Sequence, residues 1–158
     1  MSVADSQPKL RANELETLYR RCREQGLRLT IQRRAVLEAL VDVPGHPPAE
    51  ALYAMVSNRL PGVSRTTIYR TLDQLVRAGV IGRACHPGNT VRYDGRTDLH
   101  HHLVCLGCAS IIDISDEDLD RLPVPDTTEL GFEVQNFQVQ FRGFCRACRD
   151  QRRKEEQS

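Results

Sequence analysis

Four of the six cysteines fall in two pairs, Cys105-Leu106-Gly107-Cys108 and Cys145-Arg146-Ala147-Cys148. Each spacing lets two thiolates grip one ion from a tight turn, and four soft sulfurs in a tetrahedron suit Zn2+. With its coordination sphere full, such a zinc is structural. Cysteine-rich disulfide scaffolds are usually small, secreted and too short to build a core; a chain of 158 residues has room for one ordinary domain or two small ones. A redox dithiol is disfavoured because neither pair is expected at a strand-to-helix opening of a thioredoxin-like unit. Cys22 falls on the apolar face of an expected helix and reads as core. Cys85, at an expected strand end, has no comparable partner.

The formal net charge of +1 conceals a split. Residues 1–94 carry 14 basic and 9 acidic side chains, whereas residues 95–158 carry 8 and 12. A basic half joined to an acidic half points to a polyanion-binding module attached to something else. No apolar run approaches the ~18 residues of a membrane span, and the first residues lack the apolar stretch of a signal peptide. The expectation is a soluble, cytoplasmic protein, with aliphatic cores because aromatic residues make up only 5% and Trp is absent.

Apolar periodicity predicts a helix over 13–25 stopped by Gly26, and a second that is capped by Thr30 and carries Ile31, Ala35, Val36, Leu37, Leu40 and Val41. After a turn over 43–48, Pro48 suits the first position of a third helix ending near Asn58. Pro61-Gly62 breaks the chain, and Ser64 caps a fourth helix that holds Ile68, Leu72, Leu75 and Val76 and ends at Gly79. Strands over 80–85 and 90–94, joined by the turn 86–89, complete a winged helix-turn-helix with a helix added in front. The polar stretch 95–98 reads as a hinge, giving domains 1–94 and 95–158. Beyond it come strands over 101–105 and 110–114, a short acidic helix from Ser115, a long alternating strand over 132–144, and a charged, frayed tail over 151–158.

The fourth helix opens with hydroxyls and arginines: Ser64, Arg65, Thr66, Thr67, Tyr69 and Arg70. A helix start of that kind can enter the major groove, Arg addressing guanine and hydroxyls bonding phosphate. An ordinary solvated helix has the same composition; the preceding helix, the short turn and the following hairpin favour the DNA reading. Arg28, Arg33 and Arg34 would add contacts to the DNA backbone. A further constellation is His46, Asp94, the triplet His100-His101-His102, and Asp113. Strand alternation turns His100 and His102 to one face and His101 to the other. Spacing alone does not bring His46 or Asp94 to them.

Taken in order, six segments resemble the ferric uptake regulator family of bacterial metal-dependent repressors: Gly26-Leu27-Arg28-Leu29-Thr30-Ile31-Gln32-Arg33, His46-Pro47-Pro48-Ala49-Glu50-Ala51-Leu52-Tyr53, Ser64-Arg65-Thr66-Thr67-Ile68-Tyr69-Arg70-Thr71-Leu72, Arg92-Tyr93-Asp94, the run from His100 to Cys108, and the second cysteine pair. The resemblance spans nearly the whole chain. It implies an α+β protein: an N-terminal winged helix, a C-terminal α/β dimerisation domain, and a homodimer that binds a pseudo-palindromic operator when metal is present. It also implies structural Zn2+ on Cys105, Cys108, Cys145 and Cys148, and regulatory Fe2+ or Mn2+ on His46, Asp94, His100, His102 and Asp113.

Three positions narrow the branch. An additional family metal site uses a histidine where this chain has Phe137, so that site is not expected. Zinc sensors place a cysteine at the position of Gly95. Asp113 stands where iron sensors commonly carry Glu and peroxide sensors Asp, so the chain resembles the peroxide-sensing branch, with an iron-responsive repressor as the alternative. Enzymatic activity is not expected, since the deaminase signature and the zincin motif are both missing from the sequence. A zinc-ribbon adaptor would leave the basic half idle.

Overall fold

The computed structural model describes residues 7–43, 45–84, 90–96 and 98–156. It separates into two compact units, Met1–Thr97 and Asp98–Ser158.

The first unit is four helices and a hairpin: α1 (Gln7–Glu24), α2 (Ile31–Asp42), α3 (Ala49–Arg59), α4 (Arg65–Arg77), β1 (Gly82–Ala84) and β2 (Arg92–Asp94). Leu18, Cys22, Val36, Leu37, Leu52, Val56, Ile68, Leu72 and Leu75 form one aliphatic core, with Cys22 inside it as expected. Burying such side chains contributes roughly 1.5–3 kcal/mol each. Gly26 and Gly79 close α1 and α4 in the left-handed conformation (φ +67° and +66°), which lets the following N–H groups reach back to Cys22 and Leu75 carbonyls. Thr30 and Ser64 cap α2 and α4, accepting from the N–H of Arg33 and Thr67.

Two helix starts in this unit differ from expectation, and the strands expected from 80 and 90 begin at Gly82 and Arg92. The first helix starts at Gln7 rather than near Asn13. Pro48 is the N-cap of α3 and not its first residue: its extended backbone (ψ 161°) bridges to Arg92, and its carbonyl receives the Leu52 N–H. The hairpin pairs Gly82 with Asp94 and Ala84 with Arg92. The predicted turn 86–89 and Cys85 lie outside the described residues.

The second unit holds β3 (His101–Cys105), β4 (Ile111–Ile114), α5 (Glu117–Asp120), β5 (Gln140–Gly143) and α6 (Arg146–Glu155). The sheet order is β4-β3-β5, with β3 antiparallel to β4 and parallel to β5. Asp116 caps α5, and an unanticipated 3-10 turn covers Thr128–Leu130.

The long strand expected over 132–144 is a strand only from Gln140 to Gly143. Strand assignment needs a neighbouring backbone. β3 offers five residues, and among the described residues no strand pairs with 132–138. The tail expected to fray is helical to Glu155. Gln151 bonds Glu155 at 3.2 Å, Arg152 pairs with Glu156 at 3.6 Å and stacks over Phe144 at 4.3 Å, and basic residues fill the last turn. Among the described residues no helix is long and apolar enough to cross a membrane.

Candidate metal centres and nucleic-acid face

Cys105 ends β3, and the turn that follows is fixed by the Leu106 N–H donating to Gly143 O (2.7 Å) and the Cys105 N–H to Ser110 O (2.9 Å). Cys145 caps α6 and Cys148 lies in its first turn. The Cys145–Cys148 pair therefore does open a helix after a strand, contrary to the sequence expectation. What sets it apart from a dithiol is the other pair beside it. All four Sγ atoms lie within 4.8 Å of one another, and Cys108 and Cys145 are 3.8 Å apart. A regular tetrahedron with metal–sulfur bonds of about 2.3 Å has an edge of about 3.8 Å, so the four residues fit Zn2+.

Local dipoles prepare some of these thiols. Backbone N–H groups of Cys145, whose nitrogen lies 3.3 Å from Sγ, and of Cys108 pull Cys105 down to about 6. The Ser110 hydroxyl and backbone lower Cys108. Cys148 is pushed up to about 12, first by its hydrogen bond with Cys145 and then by burial. Sulfurs crowded in this way repel one another as thiolates, and a divalent cation offsets that repulsion.

Gly107 makes the closeness possible. A Cβ there would lie 2.8 Å from Cys148 Sγ and 2.9 Å from its Cβ. Gly107→Ala is therefore expected to lower zinc retention under chelator challenge by at least tenfold, as typical for substitutions adjoining metal ligands. Gly143→Ala, where a Cβ meets nothing within 4 Å, should leave it unchanged. Equal zinc release from both variants would refute this steric account.

The imidazole and carboxylate candidates form one group in each unit. In the first, His46 precedes α3 and Asp94 ends β2, with His46 Nε2 3.2 Å from Asp94 Oδ2; both are buried. Arg92 Nη1 donates to His46 O at 2.9 Å and the Tyr93 N–H to Pro47 O at 3.0 Å, so the hairpin fixes the histidine's loop. In the second unit, His100 and His102 bring their Nε2 atoms to 3.1 Å. Asp113, the register partner of His102 on β4, places Oδ1 3.5 Å from His102 Nε2 and 4.0 Å from His100 Nε2. Asp98 O lies 2.8 Å from His100 Nδ1. A proton on that nitrogen leaves the Nε2 lone pair for a metal. Ligand bonds of about 2.1 Å at right angles give a ligand–ligand edge of about 3.0 Å, close to the observed separation.

His101 turns to the opposite face, as alternation predicts, and is fully buried. The Val139 N–H donates to its Nδ1 at 3.1 Å, so Nε2 carries the proton and donates to Asp120 Oδ1 at 3.1 Å. Its ring stacks on Phe137 with centroids 6.2 Å apart. This histidine ties β3 to α5 and to the approach to β5.

On the candidate nucleic-acid face, α4 buries Ile68, Thr71, Leu72 and Leu75 and turns Arg65, Thr66, Tyr69 and Arg70 outward. Arg28 and Arg34 are exposed, and Arg34 lies over the Tyr19 ring at 5.6 Å. Arg33 is braced within the protein, donating to Arg28 O at 2.6 Å and Gln74 Oε1 at 2.8 Å. The Ser64 and Thr67 hydroxyls bond each other at 2.9 Å. Two residues the sequence reading passed over belong to this face: Glu50, which receives Arg65 and Tyr69, and Tyr53, whose ring lies 4.8 Å beneath the Arg65 guanidinium. An acid in the first turn of a helix reads as a response to the helix dipole, so nothing in the pattern marked Glu50.

The sequence model of the ferric uptake regulator family matches residues 24–142. The peroxide operon regulator of Bacillus subtilis (strain 168) is 30% identical over 137 residues, covering 87% of this chain and 94% of that protein. The peroxide-responsive repressor PerR of Staphylococcus epidermidis is 28% identical over 139 residues, covering 88% and 93%. Among solved structures, a zinc-bound manganese uptake regulator matches with a TM-score of 0.62 at 28% identity, covering 82% of this chain and 98% of that one. The Vibrio cholerae ferric uptake regulator matches with a TM-score of 0.61 at 27% identity, covering 80% and 98%.

Proposed function

The chain belongs to the ferric uptake regulator family, and from that premise we propose that it is a metal-dependent, DNA-binding transcriptional repressor that responds to peroxide. The observation that carries the metal dependence is the approach of His100 and His102 Nε2 to 3.1 Å beside Asp113. Imidazole and carboxylate form a hard-to-borderline donor set, suited to Fe2+ or Mn2+, while the four thiolates suit Zn2+. The peroxide signal is supported by the similarity to the Bacillus subtilis peroxide operon regulator and by Asp113 as the second unit's carboxylate.

In this reading, residues 1–94 bind DNA and residues 95–158 dimerise, in the cytoplasm. Backbone over 133–138 that pairs with no strand among the described residues, and the exposed Phe132 and Leu130, supply an edge and apolar surface for a second copy. Zn2+ on Cys105, Cys108, Cys145 and Cys148 fastens α6 to the sheet. One regulatory ion takes His46 and Asp94 from the first unit and His100, His102 and Asp113 from the second. Fe2+ there would supply electrons to peroxide, chemistry that Mn2+ supplies far less readily. The imidazoles of His46 and His100, named by family resemblance, are the groups whose oxidation would release the hold between the halves. Dimer symmetry implies a pseudo-palindromic operator.

The test starts from a duplex enriched out of a random-sequence pool by the manganese-loaded protein. Binding is titrated with Fe2+, Mn2+ and Zn2+, with and without peroxide, and the histidine peptides are weighed by mass spectrometry. Oxygen on the His46 or His100 peptide, with loss of binding in the Fe2+ form alone, is the expected result. Unmodified histidines and unchanged binding would make the protein an iron-responsive repressor instead.

Arg70→Ala provides a separate test of the helix. Binding to the enriched duplex should weaken by roughly 1–3 kcal/mol if Arg70 reads a base. If it touches only phosphate, all duplexes should weaken and the salt slope should fall by about one unit. Unchanged affinity on every duplex would contradict the placement of α4 on DNA.

A further inference from the structure

Glu50 sits in the first turn of α3 and has no part in either metal centre. Its two carboxylate oxygens take two different groups from the exposed start of α4. Oε2 receives Arg65 Nη1 at 2.5 Å, and Oε1 receives the Tyr69 hydroxyl at 2.7 Å. The Tyr53 ring, one turn along α3, supports the Arg65 guanidinium from below. Arg65 and Tyr69 stand four residues apart, exposed, on the flank of α4 that faces Glu50 and Tyr53 of α3, beside the outward Thr66 and Arg70 that meet DNA in the reading above.

A carboxylate and a phosphate ask for the same donors. The arrangement therefore occupies, inside the protein, two groups able to bond a DNA backbone. Tyr69 has a single hydroxyl proton, and it is committed to Glu50. Arg65 commits one N–H of five, so the rest of its fork can still address a base edge while the tether holds. Arg65 and Glu50 are more than half exposed, with side-chain exposures of 62% and 56%, so water screens the pair and DNA can displace it.

We propose that Glu50 is a specificity-determining residue of the DNA-binding unit: an internal stand-in for phosphate that weakens backbone-only contacts by Arg65 and Tyr69 while aiming Arg65 at base edges. The inference rests on the DNA-binding reading. On an arbitrary duplex, these side chains would merely exchange one anion for another, and the released carboxylate would face the polyanion. At a matched site the base edge adds a partner without removing Glu50.

The test compares Glu50→Gln with the native protein, both zinc- and manganese-loaded, on the pool-enriched duplex and on a scrambled duplex of equal composition. The variant should bind the scrambled duplex about 1.4- to fivefold more tightly, the range expected when an exposed charged pair is removed. Its salt slope there should steepen by about 0.9, one additional phosphate. Affinity for the enriched duplex should change less, so the ratio between the two falls. In a background with both Arg65→Ala and Tyr69→Phe, Glu50→Gln should no longer move that ratio, a coupling that a purely structural glutamate would not produce. Tyr69→Phe keeps the carboxylate and its hold on Arg65 while deleting the hydroxyl, so no tighter binding to the scrambled duplex is expected. An unchanged ratio in Glu50→Gln, or parallel weakening on both duplexes, would overturn the inference while leaving the DNA reading intact. Failure of the native protein to enrich any duplex would overturn both.

Discussion

Replacing Cys145 with Ser is expected to strip zinc from the protein and unfold the second unit. Its apolar burial is slight: Val104, Cys105 and Ile111 are its buried hydrophobic residues among those described, and neither α5 nor α6 buries any side chain. A ten-residue helix without a buried face does not persist in water on propensity alone. What fastens α6 is Cys145 and Cys148 at its start and the Arg152–Phe144 stack farther along. The cysteine-bound zinc is thus folding free energy, of the order of 10–16 kcal/mol in small metallodomains, comparable to the total margin of an ordinary domain at about 5–15 kcal/mol. Serine keeps the shape but removes a soft thiolate. Zinc content, far-ultraviolet circular dichroism and gel filtration should all report the loss together. The first unit has its own core, so part of the helical signal should survive and melt separately. A Cys145→Ser protein that stayed zinc-loaded with an unchanged melting profile would remove the structural role of the site.

The helices of the first unit were legible because each signal was local. Ser64 and Thr30 stand where capping side chains belong, Gly26 and Gly79 where left-handed residues belong, and Ile68, Leu72 and Leu75 repeat at helical spacing. The cysteine site was legible for a similar reason, since each pair supplies two ligands from one turn. The exaggerated strand over 132–144 shows where such reasoning stops. Alternation records which side chains could share a face, whereas pairing needs a neighbouring strand, and that depends on the length of β3. The tail misled in the opposite direction, because its many charges read as solvation although they pair along the helix and one stacks on Phe144. Glu50 was illegible because its meaning lies across a helix–helix contact. The role of His101 emerges only from the Val139 N–H, which fixes the tautomer that bonds Asp120.

His46→Ala and His102→Ala are each expected to abolish metal-stimulated DNA binding, and the double variant should do no more than either alone. The reason is that the function proposed above divides the ligand set between the two units. Unit one holds His46 against Asp94 at 3.2 Å, and unit two holds His100, His102 and Asp113. Each group alone is a weak site of two or three donors. One ion shared by both gains from every ligand only when the two units are held together, so metal affinity and the DNA-competent arrangement become linked quantities. Coupling of that kind is typically about 1–3 kcal/mol, a gain of about 5- to 150-fold in DNA affinity on adding Mn2+. Losing either half removes the whole gain, and the second loss has nothing left to remove. Two independent ions predict otherwise, since each substitution would then cost part of the stimulation and the costs would add. DNA affinity without Mn2+ should be the same in all four proteins, and zinc content should stay at one per chain, because neither histidine touches the cysteine site. Additive losses would show that the two groups serve separate ions, and full stimulation in His46→Ala would confine the regulatory ion to the second unit.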